Sequence, residues 1–225
     1  MNLNELAAAC KLYDEKTNFD DSYIDFIKLI DYSLDLTKPP HRQYLLKWLN
    51  RWACRQFAKK YHGSFSNLIL QWYKEFGHLL PDKNKNILEL NEDDYNNILL
   101  IYEKLKNIEA SKRVVYSKES SVKVGPTGAS KILFALRPKS LIPWDGSMRS
   151  YFNEGDSGFA YINYIKNASN LIKELEKECN INGFDIPDLP AKINRPFSTL
   201  PELIDEYNWV ILTRKWIPEK QEFFK

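Results

Sequence analysis

The chain has 225 residues, 44% of them apolar and 28% charged, with a formal net charge of +2. That length can bury a substantial core in one large domain or two small ones, and no apolar run approaches the roughly 20 residues needed to span a bilayer. The N-terminus, MNLNELAAACKLYDEK, has no basic region leading into an apolar one, so no signal peptide is expected and the cytoplasm is the expected compartment.

Helical periodicity dominates the chain from end to end. Asn4 is placed to cap a first helix through about Tyr13, and Asp20 or Asp21 to open a second. Pro39-Pro40 punctuates, and a long helix is expected from about His41 to Tyr61. Ser66 would cap another reaching about His78, and Leu90–Asp93 begins an amphipathic helix through about Lys106. The stretch Ser111 to Lys123 is ambiguous, with Val114-Val115-Tyr116 readable as a short strand or the end of a turn. Helices then follow over about Thr127–Leu136, Asp145–Phe152 and Ser157–Cys179. The Pro-rich stretch from Asp185 to Pro190 reads as a loop, and Thr199 with Pro201 starts a last helix to about Arg214. The expected fold is all-α, one unit over residues 1–225 that could divide into two helical subdomains flanking a cleft.

The near-neutral charge conceals a segregation. From Leu36 to Lys74 there is no Asp or Glu, while Lys38, Arg42, Lys47, Arg51, Arg55, Lys59, Lys60 and Lys74 are present. From Ala110 to Trp144 seven cations face only Glu119. Two basic blocks in a neutral chain suit a protein that binds a polyanion. Within the first block Lys47, Arg51, Arg55 and Lys59 recur every four residues, as one stripe of the long helix, beside Tyr44, Trp48 and Trp52. Cations next to flat aromatics suit phosphates and bases; the alternative is a core face beside a solvated one.

Between Val124 and Arg149 the sequence reads VGPTGASKILFALRPKSLIPWDGSMR. Gly125 and Gly128 permit a tight turn and close approach of a backbone to a ligand. A turn feeding a helix presents free N–H groups, an anion site flanked here by Lys123 and Lys131. The same pattern also serves as a plain helix entrance. Asp145, followed by Gly146-Ser147-Met148, is equally a sound N-cap.

Taken together, Val124-Gly125, Ala129, Ile132-Leu133, Ile142, Pro143 and Asp145 resemble the helix-hairpin-helix DNA glycosylase superfamily without a gap in register. The resemblance covers about residues 123–152. It implies a helical fold and excision of a modified or damaged base that is flipped out of duplex DNA, leaving an abasic site. Asp145 would be the catalytic carboxylate, stabilising the sugar cation and activating water. Lys123, Gly125, Thr127, Gly128 and Lys131 would hold DNA phosphates, with Lys47, Arg51, Arg55 and Lys59 extending the track. Members that also nick DNA use a lysine where this chain has Thr127, so the simplest implication is a monofunctional enzyme without lyase activity, with a displaced amine at Lys131 or Lys123 as the alternative.

Some members carry an iron–sulfur cluster on four closely spaced C-terminal cysteines. Cys10, Cys54 and Cys179 are too few and too scattered, so buried free thiols, no metal and no cofactor are expected. Candidates for the base pocket are Trp144, Tyr44, Trp48, His41 and Arg42, with Trp52, Tyr151 and Gln43 as further possibilities. Glu206 or Asp205 could line a pocket, but both are expected to face solvent. The divergent flanks suit a glycosylase for hypermodified phage bases in antiviral defence. The expected partner is double-stranded DNA containing a modified base, bound by a monomer. The rival reading is a non-catalytic DNA-binding module.

Overall fold

The computed structural model describes residues 1–152, 155–219 and 222–224. Among these the chain forms ten α-helices and one two-stranded sheet, the mostly helical class expected. Helix α1 (Leu3–Lys16) starts on a capping box in which Asn2 and Glu5 each satisfy the other's backbone N–H. Helix α2 (Phe19–Leu29) follows, then α3 (Pro39–Arg51), opened by the two prolines. After a 3₁₀ turn at Lys59–Tyr61 comes α4 (His62–Phe76). Helix α5 (Glu92–Lys106) begins on a second capping box, Asn91 with Asp94.

Helix α3 is shorter than its sequence suggests. The N–H of Cys54 donates to the carbonyl of Leu49 and that of Ala53 to Asn50. Ala53 sits at φ +59°. This is the double-bonded, left-handed helix stop that glycine usually supplies. It divides the expected basic stripe: Lys47 and Arg51 stay on α3, Arg55 lies in the following loop, and Lys59 belongs to the 3₁₀ turn.

The ambiguous segment is an antiparallel hairpin, β1 (Glu109–Val115) and β2 (Lys118–Lys123). Its stem closes where the N–H of Val124 donates to the carbonyl of Ile108 at 2.8 Å. The Val124-Gly125 turn is thus entered from a strand, and the helices flanking it in chain order are α5 and α6 (Gly125–Leu136). Gly125 takes φ +68°, the left-handed backbone its position requires.

Helix α7 (Gly146–Phe152) and the long α8 (Gly158–Ile181), capped by Ser157, follow. A short α9 (Leu189–Lys192) interrupts the expected proline loop. Helix α10 (Leu200–Asn208) begins on a third capping box, Thr199 with Glu202, and runs into a π-turn at Trp209–Thr213.

One buried apolar cluster runs from Leu3 to Ile204 and gathers residues of most helices. Two aromatic groups anchor it. Trp48 stacks on Phe26 with ring centres 4.9 Å apart and meets Tyr23 and Trp52. Trp144 meets Tyr102, Tyr161 and Tyr164. Each such ring removes a large apolar area from water and gains further from edge-on or offset contact. All three cysteines are buried and free. Among the described residues no helix is long and apolar enough to cross a membrane.

One expectation is overturned here. Asp205 and Glu206 do not face solvent; both are buried, as is Glu202 one turn earlier. Helix α10 is covered on its polar side because Arg195, itself buried, brings a compensating cation to Glu206 and Asp20.

Candidate active site

The loop between α6 and α7 is fixed from below before it delivers Asp145. Leu141, Ile142 and Trp144 are fully buried. Ser130, buried in α6, accepts the N–H of Trp144 at 3.1 Å, and its one hydroxyl proton is shared between the carbonyls of Thr127 and Trp144. A single hydroxyl thus satisfies backbone groups of the loop that burial would otherwise leave unpaired.

Asp145 emerges half-buried at the start of α7. Its Oδ1 accepts the N–H of Met148 at 2.9 Å, the N-cap bond expected. Its Oδ2 accepts the hydroxyl of Thr213 at 2.8 Å. Thr213 belongs to the π-turn, a geometry found mostly as short interruptions at functional positions. The carboxylate is therefore held from two elements.

Around it, Arg149 donates from Nη1 to the hydroxyl of Thr127 at 3.0 Å, and its guanidinium lies 5.5 Å from the Trp144 ring centre. Burial pushes the Arg149 guanidinium down from its ordinary range, while Tyr102 and Asp145 oppose that shift. Asp205 lies within electrostatic reach of both Asp145 and Lys131. Burial pushes its carboxyl well above the usual range; Lys131 opposes the shift and Asp145 adds to it. Asp205 is thus a buried carboxyl that favours its neutral form.

Lys131 is half-buried, with its Nζ donating to the carbonyl of Trp52 at 2.7 Å and lying 5.1 Å from that ring's centre. It ties α6 to the end of α3. Gly128 is buried for a packing reason: a Cβ there would meet Gln56 Nε2 at 2.6 Å. Gly125 keeps open space around its Cα, and Lys123 is exposed with its Nζ on Asn107 Oδ1 at 2.9 Å.

The first basic block forms a separate surface. A cleft of about 1100 Å³ opens between α2, α3 and the 3₁₀ turn. Lys47, Arg51 and Lys59 line it together with Tyr44, Trp48 and His62, so the chain reversal after α3 returns Lys59 to its neighbours. Arg51 is paired with Asp25 at 3.0 Å, an exposed bridge of small energetic weight. Arg55 is exposed in the loop beyond Trp52 and does not line this cleft.

The other pocket candidates separate. Trp144 and Trp48 are fully buried, and among the described residues the Trp48 indole N–H has no hydrogen-bond partner. Arg42 is buried and committed, donating to Leu36 and Thr37 carbonyls and to the Ser66 hydroxyl. His41 is half-buried, with Nδ1 accepting the Asp35 N–H. Tyr151 is exposed on α7.

Among the described residues one trio of carboxylates, Asp20, Glu202 and Glu206, comes close enough to hold a cation. Arg195 already fills that role: its Nη2 lies 3.0 Å from Asp20 and also bonds Glu206. The trio is better read as a buried ion network than as a metal centre.

Sequence reasoning missed Ser130 and Thr213. Ser130 is an ordinary helical serine by pattern, and Thr213 reaches Asp145 only through the tertiary fold. Comparison with protein-family models, curated proteins and solved structures finds no match.

Proposed function

We propose that the protein is a DNA N-glycosylase of the helix-hairpin-helix type, excising a modified or damaged base from duplex DNA with Asp145 as its catalytic carboxylate. The observation that supports this reading is the setting of Asp145. It is half-buried, fixed through Oδ1 and Oδ2 by two different elements, and reached in ungapped register from the Gly125 turn.

In such a reaction the bond between sugar C1′ and the base nitrogen breaks, its electron pair leaving with the base. Positive charge builds on the sugar, and a carboxylate about 4 Å away contributes roughly 4 kcal/mol at an effective dielectric near 20. Water adds to C1′, and its proton is taken up by the same carboxylate. Because both oxygens are already hydrogen-bonded, little reorientation is needed when the charge develops. Thr127 offers no amine and Lys131 is engaged with Trp52, in keeping with hydrolysis by water alone rather than strand cleavage through an imine. The basic cleft of Lys47, Arg51 and Lys59 gives a phosphate track.

The test is base release from duplexes and phage genomes carrying varied modifications, comparing wild type with Asp145→Asn. Abasic sites are scored before and after alkali. The expected result is release by wild type, loss in the variant, and breaks only after alkali.

A second reading, DNA binding without chemistry, is favoured by one observation. The cap bond and the Thr213 bond together account for Asp145 as a structural residue. No release from any substrate, with salt-sensitive binding unchanged in Asp145→Asn, would select it.

A further inference from the structure

The β1–β2 hairpin is seated on the helical body through β1, against α4 and the 3₁₀ turn, and projects beyond it. Its foot is anchored: Ala110 is buried, and the Ser111 hydroxyl donates to the carbonyl of Gln56 at 2.7 Å. Beyond Ser111 the side chains of Lys112, Arg113, Val114, Ser117, Lys118 and Glu119 are exposed, with Ser120 half-buried. Tyr116, at the tip, is 97% exposed. Among the described residues no third strand extends the ribbon, and α4 and the 3₁₀ turn pack against β1; the part that projects beyond them has little intrinsic stability of its own in water.

The register sorts its side chains. Lys112 pairs with Ser121 and Val114 with Glu119, which places these four on one face. Lys112 and Glu119 neutralise each other there at 3.5 Å. On the opposite face Arg113 stands beside Ser120, with Lys118 next along β2. That face carries two cations and a hydroxyl, and its exposed part holds no carboxylate. The 3₁₀ turn with exposed Lys59 and Lys60 packs at the foot of β1, continuing the positive surface toward the basic cleft.

The tip is unusual in a second way. Tyr116 and Ser117 lie at φ +48° and +64°, the mirror-image turn that two-residue hairpins use and that Asn-Gly makes most easily. An aromatic residue in left-handed backbone sacrifices stability. The reward must lie in what the ring touches when it projects into solvent.

We propose that this hairpin is a DNA-binding arm that enters the major groove of a duplex, with Arg113, Lys118 and Ser120 against one phosphate wall and Tyr116 at the base edges. The dimensions fit: five residues of strand reach about 17 Å, and a two-stranded ribbon is narrow enough for a major groove about 12 Å wide. The cationic face contacts phosphate, and the neutralised face turns toward the opposite wall. The proposal shares with the proposed function only the duplex partner, and it does not depend on chemistry at Asp145.

The test is fluorescence anisotropy with an unmodified, fluorescein-labelled DNA duplex and the matching single strand, over a salt series. Three variants are compared with wild type: Arg113→Ala with Lys118→Ala, Tyr116→Asn with Ser117→Gly, and Lys47→Ala with Arg51→Ala. The Asn-Gly tip should make a better turn, so lost binding there cannot be ascribed to a lost fold, and circular dichroism melting checks this. The double cation variant is expected to lower the slope of log affinity against log salt by roughly 1.8, from two phosphates at about 0.9 each. The Asn-Gly tip is expected to lose about tenfold in duplex affinity, the equivalent of one good base contact. Duplex binding that survives both arm variants but falls in the Lys47/Arg51 variant would overturn the arm and leave the proposed function standing. Tyr116-dependent binding that is tighter on the single strand would overturn the groove assignment. Absence of duplex binding by wild type at low salt would sink both proposals.

Discussion

Thr213 donates its hydroxyl to Oδ2 of Asp145 at 2.8 Å across 68 residues of chain. This bond gives the π-turn after α10 a purpose that local sequence does not supply. Thr213→Val keeps the side chain's shape and removes the donor. Denaturant unfolding should register a loss of about 1 kcal/mol. On the proposed reading, base release should also slow about tenfold, a barrier change of roughly 1.4 kcal/mol. Asp145→Asn retains the cap to Met148 and should be nearly as stable as wild type, while Asp145→Ala, which removes both bonds, should lose about 2 kcal/mol. Equal stability of all three variants would remove both bonds from the account.

The buried network around Arg195 makes stability depend on pH. One guanidinium faces Asp20, Glu202 and Glu206, and Asp14 from the surface. Burial pushes Glu202 upward, with Glu206 adding to it, and pushes Glu206 up to about 8 even though Arg195 opposes the shift. A carboxyl raised in the folded state keeps a proton that the unfolded chain releases near its ordinary value. Its stability contribution is therefore full below the ordinary carboxylate range and declines as pH rises toward about 8. Thermal melts from pH 4.5 to 8.5 should show a falling melting temperature, and Glu206→Gln should flatten that fall. A rise over the same window would reverse the assignment. Arg195→Met, which leaves the acids without their cation, should cost about 3–5 kcal/mol at the alkaline end of that window, where Glu206 is ionised.

Gly128 sits under Gln56, whose Nε2 donates to the carbonyl of Val124 at 2.9 Å. A methyl at position 128 would press on that amide at 2.6 Å, and on Val124 Cγ1 and Phe57 Cζ at 3.0 and 3.1 Å. The amide can swing aside, but the packed valine and phenylalanine have less freedom. Gly128→Ala is expected to destabilise by about 1–2 kcal/mol, through overpacking and the lost brace on the turn. Combining it with Gln56→Ala should be less than additive, since both act on one contact. Strict additivity in a double-mutant cycle would separate the two sites.

Ala53 closes α3 in left-handed backbone. Replacing it by glycine relieves the Cβ clash, offset in part by greater freedom of the unfolded chain. Ala53→Gly should raise stability by about 0.5–1 kcal/mol in denaturant titrations, with little change in the cleft beside it. A loss of stability would argue against this helix stop.

The helical frame was largely legible because its punctuation is local. Asn91, Ser157 and Thr199 each cap where polar side chains precede apolar periodicity. The stop of α3 was not legible, because Trp52-Ala53-Cys54-Arg55 contains none of the glycine that normally announces it. That one substitution made two helical turns of basic spacing look continuous. The hairpin was half-visible: Val114-Val115-Tyr116 favours a strand, but its turn lacks Asn-Gly. At the candidate site, Asp145 and its cap could be read from adjacent residues. Its Thr213 partner could not, since the turn after α10 reaches Asp145 only after folding. The burial of Asp205 and Glu206 was missed for the same reason, their covering cation being Arg195 on a separate loop.

Closure of the stem between Ile108 and Val124 means that the chain leaves the helical body and returns to it at one point. Of the fifteen residues between them, Ala110 and Ser111 are buried against the frame, and the appendage beyond them has its length and tip set apart from it. A shorter turn could bridge the same two positions without altering how α5 meets α6, since loop length weighs only slowly on stability. Lengthening, trimming or retipping that appendage leaves Ser130, Thr213 and Asp145 where they are. The fold therefore lets the projecting part and the buried part change independently, each under its own constraint.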